Sequence, residues 1–278
     1  MRAHFGGRSR ESLRASRAML DAAVKGATAD AASQLCAELF SSAQVLAGSI
    51  ALRRAITDPS RDSAAKVALV TELFAKSLDA KAFEIITNIA SLRWSSSADL
   101  VPVIEQLAIE AQGSAANIAG ELDLVEDEFF AVSQAIGSSF ELRKALTTTG
   151  ADEAKTALVV ELLGKTKTES TVKLVSHLVN NLRGRSIEAA FDDYFFALAA
   201  RRNRLIAHVE VAIVLTDSQK VRLETSLAAQ VGQPVRINVE VDSNVIGGVS
   251  VRFGDEIIDG TISTRLANAG RALVGAQN

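Results

Sequence analysis

The sequence predicts a mainly α protein that ends in a small α+β module: tandem helical bundles, then a strand-helix-strand-strand-helix domain. Three observations predict it. Apolar residues recur at helical spacing through the first two-thirds of the chain, with only three prolines in all to interrupt them. Near His208, and again from Val235 to Phe253, the spacing changes to the alternation of half-buried strands. Finally, a long stretch of the helical part is repeated about 90 residues further on.

The elements follow in order. Arg8 to Val24 carries Leu13, Leu20, Ala23 and Val24 on one face and reads as a first helix. An organelle transit peptide is the competing reading, because the first residues are rich in Arg and Ser and poor in acid. Leu35, Leu39, Ala43 and Leu46 form one stripe. Val67, Val70, Leu73 and Phe74 form another after the break at Thr57-Asp58-Pro59-Ser60. Phe83, Ile86, Ile89, Ala90 and Leu92 form a third. Leu100, Val103, Ile104, Leu107 and Ala108 form a fourth, with Pro102 in the first turn, where proline is tolerated. This stripe is expected to run on towards Leu124, with a weak break at Gln112-Gly113-Ser114.

The repeat pairs the segment from Ser49 to Lys76 with the segment from Ser139 to Lys165, an offset of 90 that slips by one before Lys66 and Lys155. Leu52 matches Leu142, Leu69 matches Leu158, and Glu72 matches Glu161. Upstream, Glu38-Leu39-Phe40 matches Glu128-Phe129-Phe130. Two related bundles are therefore expected, over 1–113 and 114–206, with the module over 207–278. The matched lysines Lys66 and Lys155 are expected to be solvated. Ser186 to Ile206 reads as one long helix whose end, Arg201-Arg202-Asn203-Arg204, is a solvated basic cluster or a contact for an acidic helix.

His208 to Leu215 reads as a strand. Thr216 and Gln219 have capping-box spacing and open a helix to about Gln230. Val235 to Ile262 then reads as two adjacent antiparallel strands, reversed between Asp242 and Gly248. Further turns fall at Gly254-Asp255 and Asp259-Gly260, and a terminal helix follows, capped by Ser263 or Thr264. Gly247 and Gly248 supply positive φ or close backbone approach. A phosphate-cradling loop is disfavoured, because these glycines open a strand rather than a helix. Asp255, Glu256 and Asp259 read as solvated turn carboxylates, since they lack the spacing of a calcium loop.

Here the residues carry a resemblance. The string Asp242-x-x-Val245-Ile246-Gly247-Gly248-Val249-x-Val251-Arg252-x-Gly254-Asp255-x-x-Ile258-Asp259-Gly260-Thr261, with Leu266 beyond it, resembles the C-terminal signature of the delta subunit of F-type ATP synthase. The mitochondrial counterpart is the oligomycin-sensitivity-conferring protein. Asn244 departs from the pattern, which has an apolar residue there. An ordinary delta subunit has one helical bundle before its αβ domain, so this chain resembles a longer form in which the bundle is duplicated.

The resemblance implies a stator subunit that joins subunit b of the peripheral stalk to the α subunit N-termini on the catalytic head and resists rotor torque. It implies one copy per complex, no cofactor, no catalysis of its own, and a peripheral position on the cytoplasmic face of a bacterial plasma membrane. For the α N-terminal helix it points to Leu13, Leu20, Phe83, Ile86 and Leu92. For the signature it points to Asp242, Ile246, Gly247, Gly248, Gly254, Asp259 and Gly260. The alternative is a helical-repeat adaptor unrelated to the synthase.

Composition agrees with an interaction protein. Net charge is −3 and the isoelectric point about 5.7, which does not favour a nucleic-acid partner. No apolar run is long enough to span a membrane. Cys36 is the only cysteine, lies on an apolar face, and is expected to be an inert buried thiol. None of the histidines His4, His177 and His208 has a carboxylate or cysteine at metal-ligand spacing. His177 is expected to be a polar helix residue. No nucleotide-binding, hydrolase or metalloprotease motif is present, so an enzyme is the weakest of the three readings.

Overall fold

The computed structural model describes residues 5–148, 150, 152–164, 167–201, 205–231, 235–242, 247–253 and 256–259. The chain divides into two compact units, Met1–Leu198 and Ala199–Asn278.

The first unit is helical. Its helices are α1 (Gly7–Val24), α2 (Ala29–Ala47), α3 (Ile50–Thr57), α4 (Ser63–Phe74), α5 (Ala80–Ser91), α6 (Leu100–Ile118), α7 (Leu122–Ser138), α8 (Phe140–Thr147), α9 (Asp152–Leu163), α10 (Glu169–Asn180) and α11 (Ile187–Ala200). Local chemistry sets their starts. The side chains of Thr28, Ser49, Ser139 and Thr168 each accept the N–H three residues on, satisfying a donor that the first turn leaves free. The long apolar stripe of α6 ends at Ile118, not near Leu124. The break lies at Gly120, whose φ of +75° is open to glycine, and not at Gln112 to Ser114, which are helical.

The repeat appears in the hydrogen bonds, residue by residue. Arg53 donates to the carbonyls of Leu46 and Ala47, and Arg143 to that of Gly137. The hydroxyls of Thr57 and Thr147 donate to the carbonyls of Arg53 and Arg143. Glu38 accepts the N–H of Asp79 at the start of α5, and Glu128 that of Thr168 at the start of α10. Six helices thus have counterparts in chain order: α1 to α6 match α6 to α11, and α6 serves in both sets. Lys66 and Lys155 correct the expectation of solvated lysines. They are only 4% and 7% exposed. Lys155 donates to the carbonyl of Val179 and pairs with Asp152 at 3.1 Å, which offsets the cost of burying its ammonium.

The second unit contains β1 (Leu205–Val211), α12 (Asp217–Val231), β2 (Val235–Val241), β3 (Val249–Phe253) and β4 (Glu256–Asp259) in a sheet of order β2-β1-β3-β4. β1 and β2 are parallel, and α12 is the crossover between them. β3 pairs antiparallel with β1 and with β4. The expectation that the strands flanking Asp242–Gly248 are neighbours is therefore wrong: β1 lies between β2 and β3. Period-2 alternation fixes which face of a strand is buried but not which strand lies beside it. Two boundaries also move. α11 stops at Ala200, short of Ile206, and β1 stops at Val211, leaving Ile213 and Val214 exposed.

Ala207, Val209 and Val211 of β1 pack with Val235, Ile237, Val251 and Leu227, while Leu223, Ala228 and Val231 of α12 close the core. The capping box holds: Thr216 Oγ1 accepts from the N–H of Gln219, and Gln219 Oε1 accepts from the N–H of Thr216. The expected terminal helix, with Ser263 and Thr264, lies outside the described residues, as do the two residues that join Phe253 to Glu256.

Candidate helix-binding cleft and the joint between repeats

The first site is the seam of α1 with α5. Serines on α1 let the helices approach closely: Ser9, Ser12 and Ser16 are buried, and small side chains keep the backbones near one another. Ser12 donates to the carbonyl of Arg93, Ser9 donates to Asp99, and Lys81 on α5 donates to the carbonyl of Ala23 on α1. Of the residues expected to meet a partner helix, Leu20 and Ile86 are fully buried and Leu13 is 9% exposed. Phe83 and Leu92 are half-buried. Leu13 and Leu20 lie on α1 and Phe83 and Ile86 on α5, two helices that pack together, and Leu92 is the residue at the C-terminal end of α5. Ser16 Oγ, Thr87 Oγ1 and Asn88 Oδ1 are buried with no hydrogen-bond partner.

The second site was not read from the sequence. Glu105, in the second turn of α6 and 2% exposed, faces Arg183 at 3.4 Å and Arg185 at 3.2 Å. Arg185 also holds Asp193 at 3.1 Å. Arg183 adopts a φ of +50°, a strained conformation for a residue with a Cβ. His177 Nδ1 shares a hydrogen bond of 2.8 Å with the Tyr194 hydroxyl, and the His177 ring stacks on Phe40 of α2 with centroids 3.5 Å apart. Burial drives the His177 pKa down to about 3, and the charges of Arg183 and Arg185 add to that. Glu105 lies 4.0 Å from the ring and pulls the other way, but two cations and desolvation outweigh one carboxylate already paired with those cations. The imidazole is neutral at physiological pH. Burial likewise pushes the Tyr194 hydroxyl well above its usual range. His177, with 15% of its side chain exposed, is thus a packing residue of the joint. A signal existed: Glu105 interrupts an apolar helix and Arg183-Gly184-Arg185 follows the next seam, but only the fold brings them together.

Cys36 is buried, as expected, and its thiol pKa is raised by burial. Among the described residues no cluster of three His, Cys, Asp or Glu side chains could hold a metal. No single described helix is long and apolar enough to cross a membrane.

In the second unit, Asp242 follows β2 and donates its N–H to the carbonyl of Val211, tying the strand end to β1. Gly247 and Gly248 have φ values of +151° and +87°, and Gly248 leads directly into β3. Asp259 ends β4, while Ile246, Gly254 and Gly260 lie outside the described residues, as do Arg202, Asn203 and Arg204 of the basic cluster.

Comparison with known proteins agrees with the resemblance in the signature. Residues 110–273 match the family described as ATP synthase delta (OSCP) subunit. The ATP synthase subunit delta of Streptomyces coelicolor is 41% identical over 96% of this chain and 97% of its own length. That of Kineococcus radiotolerans is 38% identical over 97% and 98%. A chain in the cryo-EM structure of the Toxoplasma gondii mitochondrial ATP synthase hexamer covers 60% of this chain and 97% of itself, at 17% identity and a TM-score of 0.38. With a family match across more than half its length and near full-length relatives at about two-fifths identity, the chain belongs to the ATP synthase delta (OSCP) subunit family.

Proposed function

We propose that this chain is the stator link of an F-type ATP synthase, holding the catalytic head against the torque of the rotor. The observation that carries the reading is the match to delta subunits along nearly the entire chain, both repeats and the αβ module included. In this reading the α1–α5 seam receives an amphipathic helix at the N-terminus of an α subunit, in a helix-in-groove contact. The αβ module over 207–278 holds the distal end of stalk subunit b. One copy sits on each complex, at the cytoplasmic face of the membrane, and contributes no chemistry of its own. Three features support it: an apolar seam floor, small residues that admit close helix approach, and interlocked buried hydrogen bonds suited to carrying load without rearrangement.

Native mass spectrometry of the purified chain with its cognate catalytic head tests it. The expected result is one copy bound per head, lost when the α N-terminal segment is removed. Binding that survives removal of that segment would overturn the α contact, and no binding to the head would overturn the stator role. Removal of 207–278 is expected to abolish binding to subunit b, and retained binding would sink that division of labour.

A further inference from the structure

Helix α6 serves both repeats, and its burial follows from that. It packs with α1 and α2 of the first repeat and with α7 and α10 of the second. From Val103 to Ala116 every residue except Gln106 is buried. A helix dry on nearly all sides cannot lose either set of neighbours without exposing apolar side chains to water.

Two buried polar residues of α6 fix how it meets α10. Gln112, 2% exposed, donates to Ser170 Oγ at 2.8 Å in the first turn of α10 and accepts from Ser33 of α2 at 3.1 Å. Glu105 lies two turns earlier on α6 and holds Arg183 and Arg185, just beyond the far end of α10. α10 is thus fastened to α6 at its start and past its end. Between those points α2 adds two contacts: Phe40 stacks on His177, and Lys173 donates to Ser33 at 2.9 Å. Apolar contact alone tolerates a slide of one helix along another. Here a slide of α10 would leave the Glu105 carboxylate and the Gln112 amide buried without partners, which costs more than their bonds contribute when made.

We propose that these contacts are a conformational lock: the two repeats have no hinge between them and open only when the helical unit unfolds, with Glu105 and Gln112 as the positioning residues that set the register of α10 on α6. The lock is a property of this chain alone and does not depend on the partners proposed above. In a stator it would carry load from one repeat to the other without bending at the joint. Strain is part of it, since Arg183 is held at a φ of +50° while its guanidinium meets Glu105.

The full chain carries its own probes. Its one cysteine, Cys36, is 2% exposed and lies at the joint, facing the backbone of Gln112 and the charge of Lys173. Its one tryptophan, Trp94, is 6% exposed in the first repeat, where the indole N–H donates to the Ile89 carbonyl at 3.1 Å. The opening of the joint is read from the rate at which a methanethiosulfonate reagent labels Cys36 in low urea, relative to the unfolded chain. Unfolding of the first repeat is read from Trp94 fluorescence in the same urea series. The lock predicts that the two equilibrium constants agree within about tenfold and depend equally on urea. Labelling of Cys36 more than about tenfold ahead of Trp94 would reveal a hinge and overturn the proposal. Glu105→Gln keeps the shape and removes the charge, and is expected to put Cys36 labelling more than about tenfold ahead of Trp94 unfolding. Continued agreement in that variant would overturn the role of Glu105. Glu169→Gln breaks only a surface pair with Lys173 and should leave the probes in agreement, and separation there as well would overturn the assignment of the lock to the α6–α10 contacts. The wild-type comparison decides the absence of a hinge even where a variant does not fold.

Discussion

The two repeats use the same fastenings around different fillings. Each has a serine capping its second helix pair, an arginine reaching back to the preceding helix end, and a buried glutamate holding the start of its fifth helix. The fillings diverge. α2 and α6, which pack together, bury mostly aliphatic and small side chains, among them Leu35, Cys36, Leu39, Ala43, Ile104, Leu107, Ala108 and Ala111. Where α7 meets α11, Phe129 packs among Phe191, Tyr194 and Phe195, with ring centroids 4.8 to 5.8 Å apart. The difference teaches that the fold is held by where backbone ends are tied. The volume between the helices adjusts to whatever side chains fill it, so long as it is filled.

Five variants would sharpen or break that comparison. Glu128 is the more deeply buried of the two glutamates and accepts the Thr168 N–H and the hydroxyls of Thr168 and Thr171, whereas Glu38 accepts from the Asp79 N–H and Gln34. Glu128→Ala is therefore expected to cost about 4 kcal/mol in denaturant unfolding and Glu38→Ala about 2. Equal losses would mean that the number of bonds at the fastening does not decide its strength. Glu105→Ala should cost about 3 kcal/mol, since it leaves Arg183 and Arg185 facing a cavity. A loss under 1 kcal/mol would show that the joint between the repeats is apolar in its energetics.

The fourth variant is read in pH. His177 has a folded pKa of about 3, below its ordinary 6.5, so the unfolded chain binds the extra proton between those values. Its contribution to stability is fully present above 6.5 and is lost as pH falls towards 3. The loss is about 2 kcal/mol by pH 5, and it should vanish from the difference between those pH values in His177→Gln. A slope unchanged by the variant would place the titrating group elsewhere. Smallest of all, Ser16→Ala should change stability by no more than about 0.5 kcal/mol, because the hydroxyl it removes has no partner. A marked loss would reveal a partner for Ser16.

Much of the helical part was legible. Periodicity located the stripes of α1, α2, α4, α5 and α6, and the repeat matched Glu38 with Glu128, which the structure shows as the two fastenings. The capping box at Thr216 was read from two residues, because both of its bonds are local. What escaped was non-local. Lys66 and Lys155 looked like surface lysines because a sequence does not reveal a carbonyl such as that of Val179 waiting across the bundle. Strand order escaped for the same reason. The residues from Asp242 to Gly248 suit a reversal, but whether the next strand pairs with β2 or passes beyond β1 depends on which edge of the sheet is free.

The sequence by itself determined the class of fold, the repeat and the family, since periodicity, capping and a long signature are properties of residues near one another along the chain. Only the tertiary structure decided that α6 belongs to both repeats, that Glu105 meets two arginines about 80 residues away, and that Phe40 of α2 stacks on His177 of α10. Those facts depend on which apolar faces find each other once the helices exist. Burial is non-directional, so many pairings satisfy the pattern, and the choice falls to the fit of particular side chains across the seam.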